Sequence, residues 1–200
     1  MKRTDAILRH VRGPTVLDLG AVQHDAAKAA DDDWLHGRLT ERFERVVGID
    51  ILTDDVRKLN DAGYEVVVAD VETMSLPIEA DTVVAGELLE HVSNPGRLLD
   101  RTQEHLRPGG RLVLTTPNPW TFVRVRRLAA GDYRVNAEHT AWHGPVTLRQ
   151  LLARHGFAVE HMAFVDPVPG GVTGLCYHIG LNALGTTTIL CVARREGHED

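Results

Sequence analysis

The apolar positions of the chain fall into short runs separated by stretches with helical spacing. Thr15-Val16-Leu17, Val46-Val47-Gly48-Ile49, Tyr64 to Asp70, Thr82 to Gly86 and Arg111 to Thr116 are rich in Val, Leu and Ile, and Asp, Gly or Pro bounds most of them. Such runs predict buried strands. Thr4 to Val11, Ala26 to Ala30, Trp34 to Arg45, Asp54 to Ala62 and Asn94 to Leu106 carry the spacing of amphipathic helices. Pro108-Gly109-Gly110 reads as the stop and turn after the last of these. Strands alternating with helices predict an α/β fold: a parallel sheet with helices on both faces. The alternation lapses from Pro117 to Gly144, where aromatic, basic and His residues concentrate. It resumes with a helix over Thr147 to His155, a strand over Phe157 to Val165, a loop over Pro167 to Gly174, a short apolar helix within Leu175 to Leu184 and a strand over Thr186 to Ala193. Arg194 onward is polar and reads as a frayed end.

The strand ends carry the candidate chemistry. Ligands of open α/β sheets sit outside the carboxyl ends of the strands. The first strand ends in Asp18-Leu19-Gly20, the second in Asp50 and the third in Asp70, while Glu87-Leu88-Leu89-Glu90-His91 follows the fourth. Glycine after the first strand tolerates positive φ and lets a ligand approach the backbone. A carboxylate after the second can accept hydrogen bonds from ribose hydroxyls. Together these make a nucleotide-binding half-unit.

Composition narrows the picture further. Two hundred residues at 43% hydrophobic and 25% charged content suit one domain with a sizeable core. A formal net charge of -6 argues against nucleic acid as the main partner. No apolar run is long enough to span a membrane, and MKRTDAILRHVRGP lacks the apolar core of a signal peptide, so a cytoplasmic location is expected. Cys176 and Cys191 lie in apolar sequence without metal-ligand spacing and read as buried free thiols.

The series VLDLG, VVGID, VVVAD, ADTVVAGELLEHVSNP and LRPGGRLVLTTPN, covering about residues 15 to 118, resembles the class I S-adenosylmethionine-dependent methyltransferases. Within them it is most similar to the ubiquinone-biosynthesis-like small-molecule branch, also called type 11. HTAWHGPVTLRQLLARHGF is similar to a stretch that many such members carry before their last two strands. The resemblance implies a Rossmann-like seven-stranded sheet whose last strand is antiparallel, in one domain over 1–200. A cofactor half of about 1–118 would be followed by a substrate cap of about 117–145 and a C-terminal helix and strand pair of about 146–195. It implies S-adenosyl-L-methionine as cofactor. Gly20 would approach its methionine moiety, with Asp18 positioning the loop or the ligand's amino group. Asp50, with Ile51 beside it, would hold the ribose. Asp70 and Val71 would flank the adenine, and Glu87 would lie beside the cofactor.

One departure concerns the loop after the first strand. The family usually places further glycines there, and this chain has Val22 and His24. His24 could contact cofactor or substrate, or lie on the loop surface. ADDDWLHGRL looks inserted. Trp34, Leu35 and His36 either fold back to shape the cofactor cleft or belong to a longer surface helix with Trp34 in the core.

Methyl transfer is an in-line displacement at a sulfonium methyl, so alignment and exclusion of water do most of the work. A hydroxyl acceptor also needs a base near neutral pH, for which His is suited. The candidates are His91, His139 and His143. The plainer readings are a capping or core histidine for His91 and a solvated loop for the other two. No compact ligand motif such as HExxH is present, and no metal is expected. Trp120 to Leu128 is the one basic, aromatic stretch. As a helix it would form a lid over the acceptor, with Phe122 and Val125 inward and Arg124 and Arg127 outward. Such a lid could take an anionic or lipid-linked acceptor, or make weak contact with a membrane surface. The expected function is methyl transfer to a small molecule, or to a small group on a larger carrier, at oxygen. The alternatives are a non-catalytic S-adenosylmethionine-binding protein of the same fold and a nicotinamide-dependent oxidoreductase. The absence of G-x-G-x-x-G after the first strand speaks against the oxidoreductase.

Overall fold

Strand β1 (Thr15–Leu19) lies between β2 (Arg45–Asp50) and β4 (Ala80–Gly86) at the middle of a seven-stranded sheet in the computed structural model, which describes residues 1–196. Strand β3 (Val66–Val68) is one edge, and β5 (Leu106–Pro117), β7 (Thr186–Arg195) and β6 (Phe157–Pro167) complete the order β3-β2-β1-β4-β5-β7-β6. Pairings among β1 to β5 are parallel, while β7 runs antiparallel to both β5 and β6. The antiparallel final strand agrees with the methyltransferase reading and removes the support that all-parallel late strands would have lent an oxidoreductase. The chain leaves β1 toward β2 and β3, then crosses back to β4 on the other side. The crevice above the carboxyl ends of β1 and β4 is the switch point where ligands of such sheets bind.

Alternation along the strands divides the core. Val16 faces one layer with Ile7 of α1 (Arg3–His10) and Leu35 and Leu39 of α2 (Leu35–Thr40). Leu17 and Leu19 face the opposite layer, with Leu98 and Leu99 of α4 (Pro95–His105) and Leu148 and Leu152 of α6 (Pro145–Arg154). A smaller cluster beside the edge joins Val56 and Leu59 of α3 (Thr53–Asp61) to Ala21, Val22, Trp34 and Val66. Asn94 caps α4, its Oδ1 accepting from Arg97 N at 3.1 Å, and Pro95 follows at the first helical position. Among the described residues no helix is long and apolar enough to cross a membrane. Both cysteines are buried free thiols, and burial pushes Cys191 up to about 12.

Several element boundaries differ from the sequence expectation. β3 stops at Val68 because Asp70 starts a turn, its carbonyl accepting from Met74 N at 2.8 Å. Helix α2 stops at Thr40, since the chain needs residues 41–44 to turn into β2, where Arg45 pairs with Thr15. Pro108-Gly109-Gly110 lies within β5, at a register shift against β4, and does not form a separate turn. The region from Gly171 to Gly185 holds two helices, α7 (Gly171–His178) and α8 (Asn182–Gly185), so the first starts inside the expected loop. β7 reaches Arg195, past the expected onset of fraying; the rest of that expectation, from Gly197, lies outside the described residues.

Candidate active site

The loop after β1 is tied down from three directions. Gly20 N donates to Ile49 O at 2.8 Å, Val22 N to Asp50 Oδ2 at 3.0 Å, and Trp34 Nε1 to Ala21 O at 3.0 Å. Gly20 has φ +76°, and a Cβ there would sit 3.2 Å from Leu88. The two glycine replacements are absorbed in different ways. Val22 turns its side chain away from the crevice into the cluster around Trp34, and is fully buried. His24 keeps the left-handed backbone, with φ 77°, and Gln23 does the same at 54°. That conformation costs an L-residue about 1–2 kcal/mol. The loop has therefore kept a glycine-like path at His24 without the glycine.

Trp34 is buried under this loop, at the N-cap of a helix only six residues long. It sits in the core, but the long helix expected to carry it is absent. His36, on α2, buries its ring and places Nδ1 3.0 Å from Asp18 Oδ2. Gly48 makes room for that ring, since a Cβ there would lie 2.9 Å from His36 Cε1. Burial pushes the Asp18 carboxyl up, against the opposing pull of His36. Only 2% of the Asp18 side chain is exposed, which suits a loop-positioning role better than ligand contact.

Asp50 accepts from Val22 N through Oδ2 and from Leu52 N at 3.1 Å through Oδ1. A carboxylate has about four lone-pair sites, so capacity remains for a ligand's donors. Ile51 beside it is 64% exposed, an apolar surface facing solvent where a flat ring could lie. Asp70 is exposed, with Oδ1 accepting from Glu72 N at 2.8 Å, and Val71 is buried next to it. These residues fit a nucleoside: a Cβ-free approach at Gly20, spare carboxylate acceptors and an exposed aliphatic face.

The segment after β4 forms the other wall. Glu87 has φ 54° and lies mostly buried, one oxygen without a partner, and burial raises its pKa. Glu90 is fully buried; Thr116 Oγ1 donates to its Oε2 at 3.0 Å, and Oε1 has no partner. Burial, then the charge of Glu87, pushes Glu90 up to about 7. Thr140 clips the cap onto this wall, its N and Oγ1 donating to Glu90 O at 2.8 and 3.1 Å and its Oγ1 also to Val92 O at 2.8 Å. The clip sets the His139 ring edge-on to His91, with centroids 4.7 Å apart, and His24 approaches His91 from the loop at 5.7 Å. Glu138 Oε2 lies 3.6 Å from His24 Nδ1 and 3.7 Å from His91 Nδ1.

Burial lowers the pKa of His91, with His24 adding to the effect. Burial likewise lowers His139, helped by His91 and Arg124, and burial alone lowers His143. His139 Nδ1 and His143 Nε2 are both buried without a partner. The structure thus joins His91 and His139, which lie far apart in sequence, and both are partly buried. It also adds His24, Glu90 and Glu138 to the group. Glu90, His91 and His139 each offer a ligand atom within 4.8 Å of the others, as do His24, His91 and Glu138; these are the residues that could hold a divalent ion.

Helix α5 (Phe122–Ala129) follows β5 and is capped by Thr121, whose Oγ1 accepts from Arg124 N at 3.3 Å. Its facing differs from expectation. Val125 is exposed, while Arg124 turns inward and lies over the Trp142 ring, 4.6 Å from its centroid. Placing Arg124 on an aromatic face is favourable for a guanidinium and explains the inversion. A cavity of about 580 Å³ opens beneath the helix.

Residues 2–162 match the family described as a methyltransferase domain. The chain belongs to that family, the class I S-adenosylmethionine-dependent methyltransferases. Its cofactor is S-adenosylmethionine. Over 102 residues the chain is 30% identical to an (S)-coclaurine N-methyltransferase of Thalictrum flavum subsp. glaucum, a match covering 51% of this chain and 28% of the relative. It is 24% identical to a malonyl-[acyl-carrier protein] O-methyltransferase of Paenibacillus sp. (strain JDR-2), covering 76% of this chain and 59% of that one. The chain therefore spans less than two thirds of the length of these curated relatives. The N-methyltransferase NodS of Bradyrhizobium japonicum WM9, solved with S-adenosyl-l-homocysteine, shares the fold at TM-score 0.64 and 16% identity, over 98% of this chain and 86% of that one.

Proposed function

We propose that residues 1–200 act as one cytoplasmic methyltransferase domain, which transfers the methyl group of S-adenosylmethionine to an oxygen of a small molecule or of a small group on a larger carrier. The observation that carries the oxygen assignment is the unpartnered, buried Nδ1 of His139, on an imidazole whose pKa burial has lowered, packed against His91 beside the cofactor crevice. An imidazole with a lowered pKa is uncharged at neutral pH and can take a hydroxyl proton, whereas a carboxylate or thiolate acceptor would need no such group.

In this reading Asp18, through His36, and Gly20 shape the loop against the methionine moiety. Asp50 and Ile51 hold the ribose, Asp70 and Val71 flank the adenine, and Glu87 borders the sulfur end. When bound, the cofactor supplies an electrophilic methyl group on a sulfonium. The protein aligns the acceptor, excludes water beneath α5 and receives the acceptor's proton at His139 Nδ1, with His91 holding that ring edge-on and His143 Nε2 as a second unpartnered acceptor. The test is incorporation of radiolabelled methyl from S-adenosylmethionine into a panel of hydroxyl, carboxyl, amine and thiol acceptors. Turnover confined to hydroxyl acceptors, with an acid limb below the ordinary His pKa of 6.5, is expected. Cofactor binding without turnover of any acceptor would favour the non-catalytic alternative, and turnover of amines alone would overturn the oxygen assignment.

A further inference from the structure

The cavity beneath α5 has a charge and an apolar lining that the methyl-transfer reading does not itself require. Arg124 and Arg127 both line it, and neither guanidinium makes an ion pair among the described residues. Arg134, which lines it too, is already matched: its Nε and Nη2 grip the Asp132 carboxylate at 2.8 and 2.9 Å. Asp132 also acts on Arg127 through space, and Glu87 and Glu90 on Arg124, with burial holding those two toward their neutral forms. Two cations are left facing about 580 Å³ of space, within the range of ligand pockets.

The lining also carries an exposed apolar strip among polar Thr and Asn side chains. Leu128, Tyr133 and Val135 are 38, 74 and 46% exposed, and all three border the cavity. An occupant with an apolar body would remove that surface from water. Arg124 is also held in one plane by Trp142, so less conformational freedom is lost when it forms hydrogen bonds to a planar or tetrahedral anion. The same guanidinium is close enough to His139 to lower that imidazole's pKa. Trp142, on which Arg124 stacks, lies three positions along the cap from His139, so an anion bound at Arg124 shares that cap segment.

We infer that this cavity is an acceptor subsite for an amphiphilic organic anion, whose nucleophilic oxygen lies a few bonds from a carboxylate or phosphate and whose apolar body rests on Leu128, Tyr133 and Val135. The inference deepens the methyl-transfer reading, because the occupant is taken to be the methyl acceptor. It is tested without knowing that acceptor, using two fluorescent probes of matched body. Anilinonaphthalene sulfonate carries the anion and N-phenylnaphthylamine lacks it.

The folded protein should bind the sulfonate at one site per chain, roughly ten- to a hundredfold more tightly than the uncharged amine. Octanoate and octyl phosphate should displace the dye and octyl glucoside should not; the better competitor identifies the headgroup. In the double variant Arg124→Gln, Arg127→Gln the two dyes should bind within about twofold of each other. Equal affinity in the unmodified protein, or an undiminished preference in the variant, overturns the inference. Calorimetry with S-adenosylhomocysteine on both proteins checks folding and separates the two claims. Binding of that ligand with no dye preference refutes the cavity assignment alone. A saturable dye preference with no binding of that ligand refutes the methyl-transfer reading and the acceptor role with it.

Discussion

Replacing Glu90 by Gln should change how stability depends on pH, and the structure fixes both sign and size. Glu90 is fully buried, one oxygen is held by Thr116 and the other has no partner. Burial and the charge of Glu87 raise it from 4.5 to about 7. Between those values the folded protein keeps a proton that the unfolded chain has released. The contribution is thus fully present below about 4.5 and is lost as pH rises through about 7. At about 1.36 kcal/mol per pH unit this amounts to about 3 kcal/mol, an upper value because Glu87 shares the titration. His10, His91, His139 and His143 act in the opposite sense: their lowered pKa values make stability fall as pH drops below 6.5. The unmodified protein alone therefore shows two trends that partly cancel. The difference between it and Glu90→Gln removes the histidines, which both proteins share. Urea unfolding at intervals from about pH 4.5 to about pH 8 should show the variant gaining up to about 3 kcal/mol relative to the parent. In thermal scans this is up to about 6–12 °C for a chain of this size. A difference that stays flat, or shrinks as pH rises, would show that Glu90 is solvated and ionised in the fold, and the account of that wall would fail.

Asp50→Ala should weaken S-adenosylhomocysteine binding by roughly 1–3 kcal/mol by calorimetry, through loss of ribose acceptors and of the bond to Val22 N; unchanged affinity would refute the ribose assignment. His139→Gln should leave that affinity alone and slow a hydroxyl acceptor's turnover by about 10²–10⁴. Normal turnover would return His139 to a packing role. His24→Gly relieves a left-handed residue at some entropic cost in the unfolded state, so its stability should be unchanged or raised by up to about 1 kcal/mol; a loss above about 1 kcal/mol in urea unfolding would mean that the contacts of His24 outweigh its strain. Treatment with a strong chelator should leave turnover intact if His91 and His139 serve the proton, and loss restored by added zinc or magnesium would reassign them as ligands.

The sheet was legible because each strand lies between partners or layers that demand apolar residues, so its ends fall at Leu19, Asp50 and Gly86, within two residues of the expected ones. β3 is three residues long instead of seven because the chain turns at Asp70. Helix α5 shows a second limit. None of its residues is buried, so its amphipathic pattern could not say which side faced the protein. The stacking of Arg124 on Trp142, a contact across eighteen positions, decided that facing. The histidines were visible one at a time, but their convergence depends on Thr140. Its hydroxyl bonds to the carbonyls of Glu90 and Val92, fifty and forty-eight positions away, and no local spacing announces such a bond. Glu90 carries only a faint signal in the sequence: it stands beside His91 just past a strand end.

Two physical markers locate the site without any appeal to family. Four described residues other than glycine have positive φ, and three of them, Gln23, His24 and Glu87, border this crevice. Among the described residues six buried side-chain polar atoms lack partners, and five belong to His36, Glu87, Glu90, His139 and His143. Each is unfavourable for folding, by about 1–3 kcal/mol for strain or for an unmet hydrogen bond. Scattered over the molecule they would read as local imperfections. Gathered at the carboxyl ends of β1 and β4, they mark groups held ready for a partner that the protein alone does not supply. His36 is the instructive member, since its free Nε2 lies behind the loop and not in the crevice wall. Its other nitrogen binds Asp18, so the pair acts through loop position and not through contact with the reacting atoms. The unmet valences that can reach an acceptor are then those of Glu87, Glu90, His139 and His143, and the first three act electrostatically on or feel the charge of Arg124. Arg124, stacked on Trp142 beside the cavity under α5, lies within electrostatic reach of these three groups.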